Sequence, residues 1–258
     1  MELTDVQWEV LKALVKPTTP VKRRGRPWKD TRPVLEGVLW ILRTGAQWAE
    51  LPKDKFPPYQ TCHRRFQQWV REGTLVKLLR LLAEDLMARG QLDLAETFID
   101  ATFAGAKKGA VLLVQHAAAK GPRSWQSRTA MVFLSPWGLQ AHRHMKLGSS
   151  KPPSRSGSRR AAPECMIGDR AYDSDPLDQR LAEQYGIELI APHKGNRSRP
   201  KTQDGRKLRR YCRRWKIERL FAWLHNFRRL VTRWEYYEAN FLGLVQLGCI
   251  LILLRNYL

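Results

Sequence analysis

Three carboxylates stand where they are poorly placed for packing and well placed for chemistry. Asp100 ends the apolar run Thr97-Phe98-Ile99, and Asp169 ends the run Cys165-Met166-Ile167-Gly168. Glu218 lies inside a basic helical stretch, Tyr211-Cys-Arg-Arg-Trp-Lys-Ile-Glu218-Arg-Leu-Phe221. An acid at the point where a buried strand emerges into solvent can hold a cation. Two such strand ends and one helical glutamate make a hard-oxygen set of the kind Mg²⁺ prefers, with water or phosphate in its remaining positions. Two metals held this way stabilise the attacking and leaving oxygens of a phosphodiester displacement. The residue set therefore implies the cutting and joining of nucleic-acid strands.

The charge balance points to the same partner. The 258 residues carry 46 Lys and Arg against 24 Asp and Glu, a formal net charge of +22. A chain this basic concentrates polyanions, of which double-stranded DNA is the commonest. Between Lys194 and Arg233 there are 15 Lys/Arg and two acids, Asp204 and Glu218, a surplus of 13 and more than half of the total. A solvated basic face is the plain alternative, but a lone glutamate amid so much positive charge has no obvious structural task there.

The length permits a large core and two domains, one small. The four cysteines (Cys62, Cys165, Cys212, Cys249) lack close pairing or Cys-x-x-Cys spacing, so reduced thiols are expected and a zinc site is not. The sequence shows no signal-peptide pattern. Its most apolar stretch, Phe241 to Leu254, is shorter than a bilayer span and contains Gln246. A cytoplasmic, nucleoid-associated protein without a membrane anchor is expected.

Residues 1–92 read as a helical DNA-binding domain. Thr4 and Gln7 form a capping box, with Trp8, Leu11 and Val15 on one helical face before Pro17. A basic arm, Val21 to Trp28, suits a DNA minor groove or phosphates. A second helix starts at Asp30 or Thr31 and ends at Gly45, with apolar pairs Val34/Leu35, Val38/Leu39 and Ile41/Leu42. A short turn and the Pro57-Pro58 pair lead to a helix over Tyr59 to Arg71. It is expected to bury Phe66, Trp69 and Val70 and to show His63, Arg64, Arg65, Gln67 and Gln68. That layout fits a helix-turn-helix reader with Arg64 and Arg65 toward DNA; an ordinary helical bundle fits it too. A leucine-rich helix, Leu75 to Leu86, closes the domain. Residues 93–258 read as strands over 94–103, 164–172 and 186–191, then a long helix over 207–231 carrying Glu218, then an apolar terminal helix. The fold class is α/β or α+β.

These motifs resemble those of bacterial insertion-sequence transposases of the DDE type, most closely the insertion-sequence-five group. The resemblance rests on Ile99-Asp100-Ala-Thr-Phe103, on Ile167-Gly-Asp169-Arg-Ala-Tyr-Asp-Ser174, and on the spacing Tyr211-x-x-Arg214-x-x-x-Glu218. Ile190-Ala-Pro-His193, Phe221-Ala-Trp-Leu224 and Asn226-Phe-Arg-Arg-Leu230 add to it, as does the stretch from Trp28 to Trp69. It covers roughly residues 1–108 and 164–258. It implies an RNase H-like mixed-sheet catalytic domain with an incomplete sheet, in which Asp100, Asp169 and Glu218 hold two Mg²⁺ (or Mn²⁺) ions. Water and then a freed 3′-hydroxyl would attack phosphorus in line, and the chain would act as a homo-oligomer on element ends and target DNA. Tyr211 and Arg214 would steady Glu218 and meet a phosphate. The family often has a lysine seven residues after the glutamate; His225 stands there in this chain. Arg228 and Arg229 extend the expected DNA contact.

Residues 101–163 depart from the family pattern, with no acid against 11 Lys/Arg and eight Ser. A family-like strand and an Asp turn with Gly-Leu-Pro are missing. Shifting the reading frame over Val114 to Leu134 permits codons for Asp-Arg-His-Gly-Leu-Pro, so residues 109–163 are expected to be translated out of frame between two compensating shifts. A divergent or disordered insertion is the alternative. An out-of-frame segment would lack regular strands and leave the Asp100 strand with an unpaired edge, and the chain would be an inactive or nearly inactive remnant. Two other functions compete with a transposase: a non-catalytic helix-turn-helix DNA-binding protein, and an RNase H-like nuclease that cuts without joining.

Overall fold

A computed structural model of the protein describes residues 3–15, 29–92, 95–101, 105–106, 127–128, 131–134 and 163–257. The basic arm over 21–28 and most of the 109–163 segment lie outside the described residues. The elements are, in order, α1 (Asp5–Val15), α2 (Thr31–Thr44), α3 (Tyr59–Arg71), α4 (Thr74–Ala88), β1 (Glu96–Ala101), β2 (Gly105–Ala106), β3 (Ser127–Arg128) and β4 (Met131–Leu134). They continue with β5 (Cys165–Gly168), α5 (Asp175–Tyr185), β6 (Glu188–Ile190), α6 (Gly205–Leu208), α7 (Trp215–His225), α8 (Arg228–Val231), β7 (Thr232–Arg233) and α9 (Glu238–Leu253).

Two compact units result, one of residues 1–85, 104–129 and 222–258, the other of residues 86–103 and 130–221. The sequence reading placed 93–258 in one domain. In the structure, α9 and α8 pack within the first unit instead. The cause is apolar: α9 is buried nearly all round, from Phe241 through Ile252, and a helix apolar on every side needs several partners. Leu11, Leu35, Trp69, Leu78, Leu247 and Ile250 line one shared interior of this unit.

Local sequence explains the helix starts and stops. The Gln7 amide donates to Thr4 Oγ1 at 3.2 Å and the Thr4 amide to Gln7 Oε1 at 3.3 Å, the reciprocal bonds of the expected capping box. The three apolar pairs of α2 are all buried. Gly45 ends α2 in the left-handed region at φ 72°, and a Cβ there would meet the Arg228 backbone at 3.2 Å. Among the described residues no helix is long and apolar enough to cross a membrane.

In the second unit, β4-β1-β5-β6 form a mixed sheet. β5 runs parallel to both β1 and β6, while β4 is antiparallel to β1 with Asp100 opposite Val132. α5 crosses between β5 and β6, and Leu177 and Leu181 join Ile99, Ile187 and Leu189 in its core. Two expectations are corrected. The segment over 109–163 was expected to lack regular strands and to leave β1 an unpaired edge; it holds β3 and β4, and β4 gives β1 a neighbour on its second side, the run Met131-Val-Phe-Leu134 being apolar enough to pair. The helix expected over 207–231 is broken into α6, a 3₁₀ turn over 209–214, α7 and α8. Crowded arginines at 209, 210, 213 and 214 repel along a regular helix, and Arg210, Arg213 and Arg214 are drawn instead to acids of β1.

Candidate active site

The parallel register sets the two aspartates side by side. Ile99 of β1 lies opposite Gly168 of β5, so Asp100 and Asp169 each stand one residue beyond that pair. Asp100 is buried, at 8% exposure. Asp169 leaves the strand and caps the following turn, its Oδ1 accepting from the Ala171 amide at 2.9 Å. That turn folds Tyr172 back over the strand end. A Cβ on Gly168 would sit 2.9 Å from Ile99 Cγ2 and 3.1 Å from the Tyr172 ring, so the close approach needs glycine. Burial pushes the Tyr172 phenol well up, and Asp169 and Asp100 push it further against the pull of Arg214. The phenol therefore keeps its proton beside the two acids, as an O–H donor. Sequence reading overlooked Tyr172, although it follows Asp169 by three residues within the quoted motif.

Glu218 joins through Arg214. The Arg214 Nη2 lies 3.1 Å from Asp100 Oδ2 and 3.4 Å from Glu218 Oε1, while Nη1 donates to the Tyr211 hydroxyl at 3.1 Å. Burial lowers the Arg214 pKa, but Asp100, the Tyr211 hydroxyl and Asp169 outweigh it and the net shift is upward. Its neighbours hold the same strand: Arg213 pairs with Glu96 at 2.6 Å, and Arg210 lies 3.6 Å from Glu96. Glu96 and Asp100 share one face of β1, being four residues apart. The structure thus brings Asp100, Glu218, Tyr211 and Arg214 into one polar chain, with Asp169 beside Asp100. Its donors are carboxylate oxygens, which in type fit Mg²⁺. Among the described residues no group of three His, Cys, Asp or Glu side chains is gathered to hold a metal ion; the cation between Asp100 and Glu218 is a guanidinium.

Four further arginines and a histidine were expected at DNA. Arg64, Arg228 and His225 are exposed. Arg65 and Arg229 are buried, at 7% and 5% exposure, and are withdrawn from any surface contact. Arg229 donates from Nε to Glu235 Oε1 at 2.8 Å and from Nη1 to the Ala46 carbonyl at 2.9 Å. Its removal would strand a buried carboxylate, which costs about 3–5 kcal/mol. Arg229→Ala is accordingly expected to lower the thermal midpoint sharply, whereas Arg228→Ala leaves it unchanged and weakens DNA binding. Calorimetry beside a gel-shift titration reads both.

Asp173 accepts from the Lys194 amide at 2.8 Å and Arg197 at 2.8 Å and contacts His193 Nδ1 at 2.9 Å, and Asp175 pairs with Arg197 and Arg199. His193 Nε2 accepts from the Thr202 and Gln203 amides, which makes Nδ1 the donor to Asp173. This cluster fastens the 191–204 loop. Beside it, burial and the charges of Asp175 and Asp173 push Asp178 up to about 6, and its Oδ1 is buried without a hydrogen bond. A raised carboxyl favours the fold while protonated; that contribution is full below about pH 4 and lost as pH rises through 6. Asp178→Asn is therefore expected to match the parent near pH 4 and to exceed it by about 1–2 kcal/mol at pH 8, allowing for solvent access. Denaturant midpoints at the two pH values test this.

Residues 3–79 match the family described as "Putative transposase of IS4/5 family", and residues 155–254 match "Transposase DDE domain". "Uncharacterized protein y4sN" of Sinorhizobium fredii is 31% identical over 123 residues, which is 48% of this chain and 91% of that one. The insertion element IS402 "uncharacterized 16.2 kDa protein" of Burkholderia cepacia is 31% identical over 103 residues, 39% of this chain and 70% of its own length. The "Putative transposase for insertion sequence element IS402" of the same organism is 36% identical over 103 residues, 39% of this chain and 44% of that protein. No solved structure matches the chain. The DDE domain implies an RNase H-like fold, with which the small mixed sheet is consistent. Taken with Asp100 near the end of β1 and Asp169 just past β5, these likenesses make the chain a member of the DDE transposases of insertion elements.

Proposed function

We propose that Asp100, Asp169 and Glu218 are the catalytic acids of a metal-dependent DNA strand cleavage and strand transfer, and that they hold two Mg²⁺ ions, replaceable by Mn²⁺. The observation that carries this reading is the placement of Asp100 and Asp169 one residue past a paired position on adjacent parallel strands, with Glu218 tied to Asp100 through Arg214. Bound there, the metals would supply charge stabilisation for the attacking and leaving oxygens. The protein's own groups have separate tasks. Asp169, fixed by the Ala171 amide, presents one oxygen outward. Tyr172 keeps a proton to donate beside the acids, and Tyr211 orients Arg214.

DNA is the substrate. Exposed cations of the 194–233 stretch and Arg64 on α3 are proposed as its backbone contacts, with His225 and Arg228 continuing them. The α2–α3 pair is proposed as a helix-turn-helix reader, and the working form as a homo-oligomer on element ends. The out-of-frame origin of residues 109–163 is part of this proposal; the missing acids of residues 101–163 and the Asp-Arg-His-Gly-Leu-Pro permitted by the shifted frame support it. The reading is tested by Mg²⁺-dependent nicking of a duplex carrying the element end by the protein with the frame of residues 109–163 restored, with Asp100→Asn, Asp169→Asn and Glu218→Gln in that protein as controls.

A further inference from the structure

Among the arginines that hold carboxylates, Arg229 and Arg214 do so differently. Arg229 is nearly inaccessible, and Nε, Nη1 and Nη2 all meet acceptors. Arg214 has a side chain 21% exposed, and Glu218, one of its partners, is 59% exposed. Its Nε is buried with no hydrogen bond. Nη2 is divided between Asp100 at 3.1 Å and Glu218 at 3.4 Å, and Nη1 rests on a neutral phenol, Tyr211, whose ring centroid is 5.8 Å from the guanidinium carbon. An arginine built as a permanent brace would be better satisfied.

The local charges give this arrangement a purpose. Asp100 is buried beside Asp169, and two adjacent carboxylates cannot both stay ionised without a cation. Three carboxylates and one guanidinium leave two net negative charges. One divalent ion cancels them, and a second makes the site positive while the guanidinium is still in place. Like charges a few ångströms apart in a partly buried site repel strongly. Metal and guanidinium therefore compete for the same oxygens of Asp100 and Glu218.

We propose that Arg214 is a displaceable cation, which closes the acid site in the metal-free chain and must leave Asp100 and Glu218 before divalent metal can load. The inference rests on the reading of the three acids as a metal site. Tyr211 holds the other branch of the fork, so the released guanidinium stays at the site's edge, free to take a phosphate oxygen. Metal loading and the release of an anion-binding arginine are then one event, and the chain without metal lacks both.

Mn²⁺ titration of the full chain, read by the electron paramagnetic resonance of the free ion, tests this without turnover. Arg214→Ala is expected to bind Mn²⁺ about tenfold or more tightly than the parent, because a repelling charge is gone. Its thermal midpoint should fall in EDTA, where the acids lose their cation, and recover with saturating Mn²⁺. Asp100→Asn should lose binding. If Arg214→Ala does not fold in EDTA, Arg214→Lys decides: one ammonium cannot span both carboxylates, and affinity should rise several-fold. Equal or weaker binding by the arginine variants, with Asp100→Asn still losing the ion, overturns the displacement and leaves the metal site standing. Failure of parent and Arg214→Ala alike to bind Mn²⁺ removes the metal-site reading and this inference with it.

Discussion

Raising salt from about 50 to about 200 mM is expected to weaken DNA binding by roughly 10³ or more, the loss that accompanies six or more phosphate contacts. Exposure and ion pairing narrow the side chains open to such contacts. Of the 15 Lys/Arg in the 194–233 stretch, Arg197, Arg199, Lys207, Arg210, Arg213, Arg214 and Arg229 are engaged with acids, and Arg233 is buried. Lys194, Lys201, Arg206, Arg209, Lys216, Arg219 and Arg228 remain, exposed and outside the described ion pairs. Those seven suffice for a slope of this size. Neutralising two of them, as in Arg206→Gln with Arg209→Gln, should lower the salt slope by about two. Filter-binding titrations at four salt concentrations measure it, and an affinity indifferent to salt would remove this surface from the account.

The second large effect concerns the reading frame. A protein in which the frame of residues 109–163 is restored is expected to nick element-end DNA with Mg²⁺, while the chain as written shows little or no cleavage. In the restored protein, Asp100→Asn, Asp169→Asn and Glu218→Gln should each lower the rate by roughly 10²–10³ or more, the scale of losing one preorganised electrostatic partner of the transition state. Strand pairing within the segment limits the idea without removing it: β4 forms from four apolar residues, and chance can supply so short a run. Raw reads of the gene in which the shifted frame contains stop codons would defeat the proposal, as would full activity of the chain as written.

How far the sequence foretold this structure depended on whether the governing contacts were local. The Thr4–Gln7 capping box, the apolar pairs of α2 and the limits of α3 follow from spacing within a few residues, and all were readable. The boundary at Asp169 was readable too, because an apolar run that stops at an acid marks its own end, whereas Asp100 is buried and paired within β1, which runs on to Ala101. Arg65 and Arg229 misled, since an arginine's long apolar stem can be buried once its head finds partners. For Arg229 those partners are Glu235 and the Ala46 carbonyl, the latter remote in sequence. The break at 209–214 has no proline or glycine to announce it. It arises from arginines that reach back to Glu96 and Asp100, again far along the chain. The partners of Asp173 and Asp175 were hidden for the same reason: His193, Arg197 and Arg199 come some 20 residues later.

Whether the three acids share divalent metal is decided most directly by calorimetric titration of the full chain with Mn²⁺ at neutral pH, beside Asp100→Asn, Asp169→Asn and Glu218→Gln. The account predicts saturable binding to the parent, abolished by either aspartate substitution and weakened about tenfold or more by the glutamate substitution, with each variant still folded. Binding that persists unchanged in all three variants, or a parent chain that binds no Mn²⁺, would contradict it.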